Sequence, residues 1–282
     1  MSRNVANIYV ETRRSDYKDI LPTHSVQSVF DAAEGLSEIG PLLDKLFLNW
    51  RAAAYLAAMP ICFVPTSGPQ TILASLRSDE HVLSVTELLL AKLQQKVGEI
   101  SADPGLRSRL RVACIESVED YRKSLEHLST ESLEESHWQM LISESVFMMY
   151  IWYSQRACYM FAVAAFEHFL VGVIEQGQPG VQVKASDRDF PSRLRAVIGA
   201  TAERASWSGN EAVIRREVRH TLAHKSGIVT DRFSRQTHKF IVTNGLLQIG
   251  VSNNKQLFSE LVGNLVLICS ELKSRESGSV CT

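Results

Sequence analysis

The chain reads as an all-α protein, a helical bundle with one small β-hairpin inserted before its C-terminal helix. Apolar residues recur at three- and four-residue spacing along most of the chain after Pro22, the signature of amphipathic helices. One Asn-Gly dipeptide, Asn244-Gly245, sits between two short apolar runs and is the strongest short-range hairpin signal present. With 282 residues, 45% of them hydrophobic, there is enough apolar material for a substantial core in one large or two ordinary domains.

Taken in order, residues 1–22 include the β-tending stretch 7–12, which reads as a short strand or an ordered arm. Thr23 is placed to cap a helix running to about Gly35, and Pro41 suits the first turn of a second helix ending near Ala58. Residues 59–69 hold three prolines and a glycine and read as a loop. A helix over about 80–100 would bury Val82, Val85, Leu88, Leu89 and Leu93, and Asp103-Pro104-Gly105 then breaks the chain. The next helix, about 106–128, would bury Leu110, Ala113, Cys114, Val118, Tyr121 and Leu125. Ser132 with Glu135 forms a plausible capping box for a long segment reaching about Ile174. Asp189-Phe190-Pro191 opens a short helix to about Glu203, and Ser206-Trp207-Ser208-Gly209 interrupts it. Asn210 is the expected N-cap of the following helix. After the hairpin, Ser252 or Asn253 should cap a last helix through about Lys273, with Leu257, Leu261, Leu265 and Ile268 on its apolar side.

Thirty Lys and Arg against thirty-one Asp and Glu leave no broad electrostatic footprint for duplex nucleic acid, though a local basic cleft is compatible with that balance. The five cysteines are widely spaced with no CxxC pair, as expected of reduced core residues in a cytoplasmic protein rather than a disulfide framework. The first residues show no apolar run of the secretory kind. Residues 146–174 are strongly apolar, but Arg156, Glu167 and His168 interrupt them before any uncharged run reaches about 18 residues, so a buried helix is expected and no membrane span.

The stretch richest in chemistry is Arg219-His220-Thr221-Leu222-Ala223-His224, followed by Lys225-Ser226-Gly227. At about 100° per residue, Ile214, Val218 and Leu222 form the apolar stripe of this helix. Arg219, His220 and His224 fall elsewhere, with Ala212 and Ala223 between them. Gly227 lies where a left-handed residue would end the helix. Without further context such a cluster also serves as ordinary solvation and dipole compensation at a helix C-terminus. The i, i+4 spacing of His220 and His224 would suit zinc, but no catalytic Glu lies between them and no third ligand is evident nearby.

The pattern Arg219-His220-x-x-x-His224-x-x-Gly227-Ile228-Val229 resembles the signature of the HEPN superfamily, and most closely its RNase-like bacterial members, whose motif is commonly Arg-Asn-x-x-x-His. The order of long helix, short helix, motif helix, hairpin and terminal helix resembles that family as well, and covers about half the chain. This places a HEPN-like domain at residues 131–282 and leaves residues 1–130 as an N-terminal helical region without a motif. The resemblance implies a metal-independent endoribonuclease without cofactor, of defence or toxin type. Its partners would be an RNA substrate, a second copy of the chain across the motif helix, and in some systems an antitoxin or defence protein. By the same carry-over His224 is the general acid/base, Arg219 the phosphate stabiliser, His220 an assisting group and Glu167, the lone acid in the apolar stretch 161–170, a support for the Arg or His. Ser226 stands where some toxin–antitoxin relatives carry a modified Tyr, so adenylylation there is not expected. The alternative within the family is a non-catalytic module that binds nucleotide, RNA or protein through the same groove.

Overall fold

In the computed structural model, residues 13–64, 78–96, 103–124, 130–234 and 239–279 are described. The helices are α1 Thr23–Ala33, α2 Gly40–Ala58, α3 Asp79–Lys96, α4 Pro104–Ser124, α5 Thr130–Ser143, α6 Ser145–Gly177, α7 Phe190–Glu203, α8 Asn210–His224, the short α9 Asp231–Ser234 and α10 Val251–Ser279. Strands β1 Ile241–Thr243 and β2 Leu246–Gln248 pair antiparallel just before α10, so the chain is all-α with a small hairpin, as the sequence implies. Asn244 (φ 50°) and Gly245 (φ 74°) occupy the two left-handed positions of the turn, the geometry that matches the twist of two paired strands.

The chain forms two compact units, one of Met1–Ile61 with Ile142–Thr282, the other of Cys62–Leu141. The sequence boundary at residue 130 divides the chain differently, because it keeps α1 and α2 apart from the C-terminal helices. In the structure α2 packs along α6 and α1 along α10. Trp50 shows why: it is fully buried, donates Nε1–H to the Ala162 carbonyl at 3.0 Å, and its ring meets Phe166 of α6 and Phe258 of α10 at 6.3 and 5.6 Å. Such packing between distant segments leaves no mark in local periodicity.

Helix α6 is the axis of this unit. Ile151, Cys158, Tyr159, Ala162, Val163, Phe166, Leu170 and Ile174 are all buried along one broad face of about 160°, while Val146, Tyr153 and Phe161 on the other side are exposed, so the helix carries more apolar surface than this core covers. By length and hydropathy α6 and the segment Gly40–Phe63 could each cross a membrane; half of the apolar window of α6 is buried inside the protein. Burial pushes the Cys158 thiol far above its ordinary range and the Cys269 thiol up to about 11, and both thiols are free.

Several local expectations need correction. Residues 7–12 lie outside the described residues, and Arg14–Tyr17 is a 3₁₀ turn. The long segment opens later than Ser132, which sits inside α5; the break falls at Glu144, whose backbone is extended (φ −81°, ψ 121°). In the second unit, α3 buries Thr86 and Leu90 while Leu88 and Leu89 are exposed, and the side chains of Val82 and Leu93 lie outside the described ones. On α4, Val118 is buried but Tyr121 is exposed. At the Asp103-Pro104-Gly105 break, Asp103 caps α4, accepting the Gly105 and Leu106 N–H groups at 2.8 and 3.2 Å, a role the sequence reading did not assign. Helix α10 begins at Val251, and Asn253 reaches back to accept the Gly250 N–H at 2.9 Å.

Candidate functional site

Helix α8 is preceded by a π-helical turn, Arg204–Ser208, of the kind found often at functional sites. The turn closes with Gly209 N–H on the Arg204 carbonyl at 2.7 Å, and a Cβ on Gly209 would run into that same carbonyl. This tight closure makes Gly209 the N-cap (φ −69°, ψ 159°), one residue before the expected Asn210. Ile214, Val218 and Leu222 face the core at 3, 0 and 5% exposure, as the apolar stripe requires. At the far end the Lys225 and Gly227 N–H groups both bond the Thr221 carbonyl, at 3.1 and 3.0 Å. Two left-handed residues, Ser226 (φ 52°) and Gly227 (φ 86°), turn the chain there. Gly227 is required for space as well as conformation, since a Cβ would overlap the Arg156 guanidinium, which lies 4.1 Å over the Trp152 ring.

Next to the apolar stripe lies an arginine flank. Arg215, Arg216 and Arg219, at i, i+1 and i+4, span about 100° of arc. Arg219 is a third exposed, and its Nη2 lies 3.2 Å from Oε2 of Glu167 on α6. Glu167 is largely buried, and desolvation pushes its pKa above the ordinary 4.5 in spite of the opposing pull of Arg219, Arg216 and Arg215. Arg216 stacks on Trp207 of the π turn, its Cζ 3.8 Å from the ring centroid, and donates to the Trp207 carbonyl at 3.1 Å. Burial lowers the pKa of Arg216 and Arg215 below the ordinary guanidinium range, with Glu167 acting in the opposite sense on both. Buried polar atoms without a hydrogen-bond partner cluster around this layer: Glu203 Oε1, Ser206 Oγ, Arg216 Nε and Arg219 Nε.

The third flank carries His220 and His224, both exposed, their rings 4.8 Å apart and inclined at 45°. Arg219, His220, His224 and Glu167 are thus brought to the C-terminal half of one helix, with Glu167 on the arginine and not on a histidine. Ala223 is exposed beside the histidines, whereas Ala212 is completely buried, so the small-residue surface expected from both alanines reduces to Ala223. His168 points away from this site: its Nε2 lies 3.3 Å from Lys45 Nζ on α2. Among the described residues no group of three or more His, Cys, Asp or Glu side chains could hold a metal ion.

Sequence reasoning singled out one arginine of three. Arg215 and Arg216 stand four and three residues before Arg219, a spacing that puts them on the same flank. The anchoring role of Trp207 depends on the π turn, for which there was no local signal.

The fold and site define a helical protein carrying an Arg–Glu pair and a histidine pair on one helix end. The chain matches no family model, no curated protein and no solved structure.

Proposed function

We propose that the chain is a metal-independent endoribonuclease of HEPN type, acting as a dimer in a defence or toxin-like setting. The observation that carries this reading is the Arg219–Glu167 ion pair next to the exposed His220–His224 pair at the end of α8. Cleavage by the 2′-hydroxyl forms a P–O2′ bond and breaks the P–O5′ bond. One imidazole takes the 2′-hydroxyl proton, and an imidazolium gives a proton to the departing 5′-oxygen. A guanidinium with free donors meets the charge that accumulates on the phosphate oxygens. Glu167 fixes the Arg219 side chain by one Nη2 contact, and that side chain stays a third exposed.

Entering and leaving oxygens stand on opposite sides of phosphorus, whereas His220 and His224 approach from one side of one helix. A second copy of α8 facing the first supplies the opposite side. The stripe of half-buried Val213 and Glu217 and exposed His220 and His224, with exposed Ala223 at its edge, is the surface for that contact. Purified protein incubated with total RNA and tRNA in EDTA tests the reading. It predicts fragments with 2′,3′-cyclic phosphate and 5′-hydroxyl ends and a pH optimum between about 6 and 8. Products with 5′-phosphate ends made only with a divalent cation would overturn it, as would full activity of a strictly monomeric species in light scattering.

A further inference from the structure

A cavity of about 130 Å³ opens on the other side of α8, lined by Tyr159, Glu211, Arg215, Lys239, Phe240 and Glu260. On this scale a cavity of about 150 Å³ holds one benzene molecule, and sites that enclose drug-sized ligands run to roughly 300–1,000 Å³. The space therefore suits a molecule of a few heavy atoms and is too small to enclose a nucleotide.

Its charges decide the class of molecule. Arg215 is 4% exposed, and its hydrogen bonding among the described residues is a single donation from Nη2 to the Ser206 carbonyl at 3.2 Å. A guanidinium has five N–H donors, so the Ser206 carbonyl engages one and leaves others for a ligand in the cavity. Glu260, Glu167 and Glu211 act on it electrostatically, yet none closes to ion-pair distance. Glu211, in the first turn of α8, and Glu260, held by the Gln256 amide at 2.8 Å, both bear on the buried Tyr159 hydroxyl from the lining. Two cations, Arg215 and Lys239, and two carboxylates, Glu211 and Glu260, thus line one small space. Ile214 and Leu257 add apolar wall, and the Phe240 ring packs edge-on against Tyr159 at 5.9 Å.

We propose that this cavity binds a small zwitterion, an α-amino acid or a close analogue, with its carboxylate on Arg215 and its ammonium between Glu211 and Glu260. A simple anion would bring the two carboxylates no cation, and a simple amine would bring the remaining Arg215 donors no acceptor. The site is separate from the histidine pair, and its occupancy does not depend on the nuclease reading.

Thermal melts and titration calorimetry on the full chain test this, with the twenty protein amino acids in millimolar excess as probes and acetate, butylamine, inorganic phosphate and adenosine monophosphate as controls. At least one amino acid should raise the melting temperature and give a saturable heat, with acetate and butylamine silent at the same concentration. Glu260→Gln and Glu211→Gln, both outside the fully buried core, should each weaken that binding at least tenfold while melting near the wild type. Arg215→Met should abolish it if the variant folds. The proposal is overturned if no amino acid binds, if binding is indifferent to both Glu→Gln changes, or if phosphate or adenosine monophosphate binds as tightly as the best amino acid.

Discussion

Replacing Glu167 by Gln separates the two forces acting on that residue. Glu167 Oε2 lies 3.2 Å from Arg219 Nη2, and the Glu167 side chain is 12% exposed. Desolvation outweighs the attraction of three arginines, so its folded-state pKa lies above the ordinary 4.5. A carboxyl group with a raised folded pKa binds its proton more tightly in the native state than in the unfolded chain. Its contribution to stability is complete below the unfolded value and is lost as pH rises through the folded one, with a slope of at most about 1.4 kcal/mol per pH unit for one proton. Gln keeps the shape and an oxygen acceptor for Arg219 without the charge. At neutral pH the variant should therefore be no less stable than wild type to within about 1 kcal/mol, because the desolvation of the carboxylate outweighs its ion pair. As pH falls toward 4.5, wild type should gain stability relative to the variant. Urea unfolding across a pH series measures both quantities. A loss above about 3 kcal/mol at neutral pH, as for a broken buried ion pair, or a pH-independent difference between the two proteins would refute the reasoning.

Leu222→Ala, at a position 5% exposed in the core stripe of α8, should cost about 2 to 5 kcal/mol by urea unfolding, with any activity lost only as far as the fold is lost. Gly227→Ala forces a Cβ into a backbone at φ 86° and against Arg156, so it should cost at least about 1 to 3 kcal/mol in the same assay. Arg219→Lys keeps the charge without the guanidinium fork. It should cut single-turnover RNA cleavage severely while thermal melts stay near wild type.

Legibility followed locality. The Asn244-Gly245 hairpin, the Pro41 helix start and the α8 stripe were readable because turn chemistry and helical period are properties of a few neighbouring residues. The buried face of α3 was misread because apolar residues surround that helix, and Leu88 and Leu89 are no less hydrophobic than Leu90. The α2–α6 packing joins segments about a hundred residues apart, which no window sees. Within the site, Arg219, His220 and His224 stood out in the sequence, and Glu167 was chosen as the lone acid in an apolar stretch. Whether it met the arginine or a histidine was decided by the crossing of α6 and α8. The π turn that brings Trp207 under Arg216 depends on a closure at Gly209 that resembles an ordinary helix break in the sequence.

The nuclease proposal turns most directly on His224. In a single-turnover cleavage assay with EDTA present, His224→Ala should lose at least about a hundredfold in rate. Its melting temperature should stay close to wild type, since the residue is exposed and a change there is worth about 1 kcal/mol or less. A variant that cuts RNA as fast as wild type, or that melts far below it, would contradict the assignment of His224 as the proton carrier.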